Sequence, residues 1–368
     1  MPVIAATMLA CSSGPEKPKP AELSANVALI GSKLNWSAGL GTVNFPLEVA
    51  VNSRFSVFAI TVAGGDGVVA SFEASTGREL WRTNVGAAIA AGVGSDGVLA
   101  SVVTHANEIV TMQSGRVIWR QKLGASGYTA PLVAGGRVFV LSSDRSVTAF
   151  DGQSGRKLWS QKRSSEALVL RQSGVLLAVD DTLVVGLSGR LVGLNPLDGN
   201  VRWEAPIATA RGTNDVERLV DLVGRVSREG SVVCARSFRV SVGCVNAARG
   251  TLLWTKPASG SEGVHGDARA VFGVETDGKV IAWNQTNGER LWSTERLQYR
   301  SLTAPVVVGR SVAIGDSTGL VHLLSREDGS PLNRLSTDGS AVATAPVLAG
   351  NTLVVVTRNG GIYGFSPE

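Results

Sequence analysis

Apolar and polar residues alternate with a period of two over many short stretches of this chain, as in Lys279-Val-Ile-Ala-Trp-Asn284, and turns such as Asp277-Gly278 separate the stretches. A period of two sends alternate side chains to opposite faces of a strand, so the chain reads as strand, turn, strand. The stretches come in sets. A glycine followed four residues later by tryptophan recurs at Gly77/Trp81, Gly115/Trp119, Gly155/Trp159, Gly199/Trp203, Gly250/Trp254 and Gly288/Trp292, with a degenerate copy at Gly329/Asn333. Upstream of most copies lie an alternating strand, a turn and another apolar run. Further upstream is a short strand often opened by Thr-Ala-Pro, as at Thr129, Thr303 and Thr344.

Each unit therefore holds four strands and repeats every 38 to 51 residues, counted from tryptophan to tryptophan. That is the size of a β-propeller blade. The two ends supply the last blade. Trp36 lies 45 residues before Trp81 and marks a fourth strand lacking its first three, and Thr344 to Phe365 reads as three strands lacking a fourth. The expected fold is all-β: an eight-bladed propeller of four-stranded antiparallel blades, its ring closed by pairing the N-terminal strand with the C-terminal strands. Closure removes open sheet edges. A solenoid would leave the split blade unexplained. Trp36, Trp81, Trp119, Trp159, Trp203, Trp254 and Trp292 are read as the surfaces that dock one blade on the next, not as cofactor ligands.

Composition agrees with short strands and tight turns, with 44 glycines, 44% hydrophobic residues and only 5% aromatics in 368 residues. The formal charge is +5, but the basic residues are scattered singly among acids, so there is no stripe for nucleic acid. Residues 1–10 are apolar, run into Cys11 and give way to a proline-rich polar stretch, which reads as the remnant of a signal peptide. Cys11 with Ser12 to Leu23 behind it then becomes a flexible tether within residues 11–24, followed by the propeller over 25–368. For Cys234 and Cys244, a hairpin that sets Cys234 opposite Ser241 puts Cys244 on the other face of the sheet. The expectation is two strand-packed thiols.

The Gly-x-x-x-Trp units, preceded four residues earlier by Asp151, Asn195, Asn246 or Asn284, resemble the docking motif of pyrroloquinoline-quinone-type propeller repeats. Within that superfamily, Met8-Leu-Ala-Cys11 is similar to a lipobox, although Met8 stands where leucine is usual. The lipobox, the proline-rich tether and the single ring together resemble the BamB family of outer-membrane barrel-assembly lipoproteins. Leu168-Val-Leu-Arg171 matches that family's Leu-x-Leu-Arg segment. Val216-Glu-Arg-Leu-Val-Asp221 matches its second loop segment, with Val223 in place of a further aspartate.

The resemblance implies a non-enzymatic scaffold, lipidated at Cys11 and held at the outer membrane facing the periplasm. It would be monomeric within the barrel-assembly complex, bind the POTRA domains of BamA and aid insertion of unfolded outer-membrane proteins. It carries Leu168, Leu170, Arg171, Glu217, Arg218 and Asp221 over as partner-binding residues, and implies no cofactor.

The residues alone point to the same rim. The intervals from Trp159 to Trp203 and from Trp203 to Trp254, 44 and 51 residues, exceed the 38 to 41 of most others. Connections from fourth to first strands emerge on the same face as the second-to-third hairpins, so the extra chain gathers there. Local chemistry offers little else. Gly315-Asp-Ser-Thr-Gly319 matches a nucleophile elbow and Gly92-Val-Gly-Ser-Asp-Gly97 a phosphate loop, but both fall between strands with no helix following. His105, His265 and His322 lie in different blades at no metal spacing. Two rivals are a quinone-dependent dehydrogenase, which would want an adjacent cysteine pair, and a generic periplasmic protein-binding propeller.

Overall fold

The computed structural model describes residues 18–54, 57–163, 168–210, 214 and 219–367. Among them are eight four-stranded antiparallel sheets and no helix. Seven blades are continuous in sequence, and each is laid down in chain order from its first strand to its fourth. Blade 1 begins at Ala50, blade 2 at Ile89, blade 3 at Leu132, blade 4 at Leu176, blade 5 at Leu222, blade 6 at Val264 and blade 7 at Val306. Blade 8 joins the ends: strand Lys33–Gly39 pairs antiparallel with Gly361–Ser366, from Lys33 opposite Ser366 to Gly39 opposite Gly361. The ring closes as the split repeat predicts.

First strands of neighbouring blades touch one another around the axis, and fourth strands face outward. Burial follows. The third strand of blade 2, Glu108–Gln113, buries its four central residues fully, whereas the fourth strand Arg116–Lys122 buries only Trp119.

The tryptophan repeat has a three-part geometry. Each ring sits opposite a small residue of its own blade's third strand: Trp81 opposite Ser71, Trp119 opposite Thr111, Trp159 opposite Ala149, Trp203 opposite Gly193, Trp254 opposite Cys244 and Trp292 opposite Ala282. A bulge follows each pairing. It re-aims the strand at the turn. The ring's other side meets the repeat glycine of the next blade: a Cβ on Gly155, whose φ is +69°, would lie 2.6 Å from Trp119, and one on Gly77 would lie 2.5 Å from Trp36. The indole N–H then donates across the seam to a carbonyl just past the next third strand, from Trp119 to Gly152 at 2.8 Å and from Trp254 to Gln285 at 2.8 Å. One motif thus fixes turn, packing and seam.

The degenerate copy marks a different seam. Leu323 takes the place of the small residue and Asn333 that of the tryptophan. Asn333 instead holds the chain that enters blade 8: its Nδ2 donates to Ile30 O at 2.7 Å and its Oδ1 accepts from Asn26 Nδ2 at 2.9 Å. Leu29 N donates to Leu332 O, Arg334 binds Ser24 O, Ala21 N donates to Gln298 O, and Leu23 and Ile30 pack on the core. Residues 21 to 30 therefore lie along the outside of blade 7, so Ala21 to Leu23, read above as tether, are already held.

The cysteines correct an expectation. Cys234 and Cys244 face one another directly and form a disulfide. The hairpin closes with Ser237 opposite Ser241 around Arg239, whose φ is +56°, so the register lies three residues from the one that paired Cys234 with Ser241. An arginine in the left-handed region carries no turn signature, whereas Gly243, which invites one, sits inside the strand.

Candidate docking site

The two long connections meet on one rim, at blades 3 to 5. Leu168 to Arg171 lead from the fourth strand of blade 3 to the first of blade 4, and Val220 and Asp221 lead into blade 5. Between them stands the second-to-third hairpin of blade 3, with Arg145 at its tip at a φ of +61°. Arg145 is almost wholly buried and works as a clamp. Its Nη1 donates to Asp221 Oδ1 at 2.6 Å and its Nη2 to Leu168 O at 2.9 Å, while Asp221 Oδ2 accepts from Leu170 N at 3.1 Å. One ion pair thus fixes both loops to a hairpin. Charge-assisted bonds of this kind are the strong ones.

The clamp sorts the carried-over residues. Asp221 is 8% exposed and organises the rim from within. Leu170 is half-buried, Leu168 is 40% exposed, and Arg171 is exposed with its guanidinium 5.8 Å from the centre of the Tyr128 ring. Val223 is buried and bridges to Gly174. Glu217, Arg218 and Cys11 lie outside the described residues. What the rim offers a partner is a leucine and an arginine set on a rigid base. Apolar and arginine side chains of that kind recur as the anchors of protein interfaces.

Behind Arg171 the loop is tied to the axis. Gln172 Nε2 donates to Ser261 O of the connection before blade 6 at 2.8 Å, Ser173 Oγ to Glu48 Oε1 before blade 1 at 2.5 Å, and Gly174 N to Thr129 Oγ1 at 2.9 Å. These bonds span the ring rather than one seam, so the loop's base cannot shift without moving distant blades. Sequence reasoning found the loops by their length. It missed Arg145, which lies 76 residues from its partner and carries no motif.

A family model described as outer membrane protein assembly factor BamB matches residues 65–294. The curated protein of that name from Burkholderia pseudomallei is 40% identical over 313 residues, covering 84% of this chain and 82% of its own length. The chain belongs to the BamB family. The Bordetella pertussis member is 33% identical across 95% of this chain and 91% of its own. The crystal structure of BamB from Moraxella catarrhalis superposes with a TM-score of 0.82 at 25% identity, covering 91% of this chain and 99% of that one. BamB membership makes this a non-enzymatic outer-membrane assembly factor and settles the choice against a dehydrogenase.

The other sequence candidates have structural places. Gly315 to Gly319 form the hairpin of blade 7, in which Asp316 is buried and accepts from Arg300 Nε, Thr318 Oγ1 and Leu320 N and pairs with His322 Nε2. Burial pushes the Asp316 carboxyl up, but these bonds together hold it well below the usual carboxylate range. Ser317 donates to Arg300 O and so is one more tie within the hairpin. Gly92 to Gly97 lie in a strand and its following turn. His265 Nδ1 accepts from Val307 N at 3.3 Å.

Proposed function

We propose that the rim of blades 3 to 5 docks the POTRA domains of BamA through Leu168, Leu170 and Arg171, with Asp221 as the internal support and Glu217 and Arg218 as further partner-binding residues. The observation that carries this reading is the Arg145–Asp221 clamp. A buried ion pair that takes its carboxylate from one long connection and binds the backbone of the other at Leu168 and Leu170 is a costly arrangement with no part in the ring's own seams, and what it presents is an exposed leucine beside an exposed arginine.

Lipidation at Cys11 would set the orientation. Ala21 O accepts from Arg300 Nη1 and Ala21 N donates to Gln298 O, in the connection from blade 6 to blade 7, which is the same class of connection as Leu168 to Arg171. From Cys11 to Pro18 a fully extended chain spans at most about 25 Å. The lipid and the rim then open on one face, and the ring is held close under the outer membrane while the POTRA domains engage it. Unfolded outer-membrane proteins would gain from the ordered assembly; no covalent step is required.

The test is an affinity measurement between the full chain and the POTRA domains of its own organism. A Leu168→Ala, Arg171→Ala double variant should weaken binding by roughly a hundredfold, the loss of two interface anchors, while its urea midpoint stays at the wild-type value. No binding by the wild type, or equal binding by a folded double variant, overturns the reading.

A further inference from the structure

The ring encloses an axial cavity of about 920 Å³, open on the docking face. Its charged lining includes Arg171, Arg225, Arg358, Glu48, Glu262 and Glu275. Glu275 is committed elsewhere, to the fully buried Arg236 at 3.0 Å. The three lining arginines make no ion pair among the described residues. That sets them apart from Arg145, Arg236 and Arg300, the buried arginines of the protein, each of which holds a carboxylate within 3.0 Å. Arg225 is the least solvated of the three and donates Nη1 to Pro346 O at 2.8 Å, a single carbonyl for a five-donor group. Arg171 and Arg358 are exposed around it.

Two further carboxylates, Glu48 and Glu262, line the same wall without touching these arginines. Burial raises the Glu48 carboxyl above its usual range against the pull of Ser173 and Arg225, and burial likewise raises Glu262 against Arg236 and Arg358. Burial shifts the Arg225 guanidinium down as well, against the pull of Glu48. Beside the lining, burial first and then Arg225 lower the His265 pKa to about 3. A guanidinium with no carboxylate in contact lacks the planar, bidentate partner that its donor fork fits.

We propose that the axial cavity is a binding site for a small oxyanion, a carboxylate or a phosphate, taken by the free edge of Arg225 and closed over by Arg171 and Arg358. Because Arg171 also stands on the docking rim, a bound anion lies directly beneath the surface offered to the partner. The site itself does not depend on what that partner is.

Calorimetric titration of the purified full chain with inorganic phosphate, and separately with succinate, tests the site. The expected result is saturable binding of one or both at one site per chain, weaker at higher salt. Saturation by only one of the two assigns the oxyanion class. Arg225→Gln and Arg358→Ala should each weaken binding by roughly tenfold or more, the loss of one charge-assisted contact. Arg358→Ala decides the matter if Arg225→Gln fails to fold, since the Arg358 side chain is exposed. Absence of saturation with both anions up to about 10 mM, the weak limit for a specific small ligand, overturns the proposal, as does an affinity unchanged in Arg358→Ala.

Discussion

Replacing Asp221 with alanine should do more damage than its place at the end of a loop suggests. The side chains of Arg145 and Asp221 are only 8% and 11% exposed, and their closest atoms lie 2.6 Å apart. Removing the carboxylate leaves the guanidinium buried with one carbonyl partner, and removing one member of a buried pair costs about 3 to 5 kcal/mol. The rim can relax toward water, so the lower figure applies, about 3 kcal/mol. Arg145→Ala strands the carboxylate in the same way and costs about as much. If the two groups matter chiefly to each other, the double variant should lose about 3 to 4 kcal/mol rather than the 6 or so of the separate losses, a coupling of about 2.5 kcal/mol.

Urea denaturation of the four proteins gives the cycle, and hydrogen exchange at the Leu170 amide reads the clamp directly, since that amide donates to Asp221 Oδ2. Partner affinity should fall in Asp221→Ala and recover partly in Asp221→Asn, which keeps an acceptor for Leu170. Additive losses, or a wild-type exchange rate at Leu170 in Asp221→Ala, would refute the claim that one ion pair holds both connections.

Three further outcomes follow from single contacts. Trp254→Phe should cost about 1 kcal/mol beyond the change in ring size through loss of its 2.8 Å bond to Gln285 O, whereas Trp203→Phe should cost no more than the change in ring size, because Trp203 Nε1 is buried without a partner among the described residues; paired urea midpoints decide between them. Cys234→Ala with Cys244→Ala should lower stability by up to about 3 kcal/mol, the loop-closure value for a crosslink spanning 10 residues, and intact mass should show the wild type lacking two hydrogens before reduction. His265, its pKa lowered to about 3, stays neutral when folded while the unfolded chain takes up a proton near 6.5, so its contribution is present above that pH and is lost as pH falls toward 3; His265→Gln should flatten that part of the urea midpoint against pH, and an unchanged slope would count against it.

The ring was legible because its signal is repeated. One glycine and one tryptophan recur at fixed spacing, and the split blade shows as a fourth strand at one end and three strands at the other. A finer signal was also present. A small residue, Ser71, Ala149, Gly193, Cys244 or Ala282, stands ten positions before its tryptophan, and the one copy with Leu323 there is the copy with Asn333. What the repeat does not carry was harder to read. The disulfide register depended on Arg239 entering the left-handed region, which no side-chain rule announces. Asp221 was read as part of a partner contact, but its burial is imposed by Arg145, a residue from another blade that only the folded ring brings close.

That difference follows from how much chain each unit has to place. Most blades are built from units of 38 to 41 residues, just enough chain for four strands and their turns, so nearly every position serves a strand or a seam. The connections around blade 4 exceed that length and have no seam to hold them. Left to their own contacts they would remain an entropic liability at the rim. The clamp from Arg145, with the ties of Gln172 and Ser173 across the axis, supplies what the repeat cannot: it turns surplus chain into a fixed surface. Blade 7 solves its own exception in the opposite way, giving up a tryptophan so that Asn333 can hold the entering strand. Both departures from the repeat are polar and long in sequence separation, and both hold chain that the blade-to-blade seams do not.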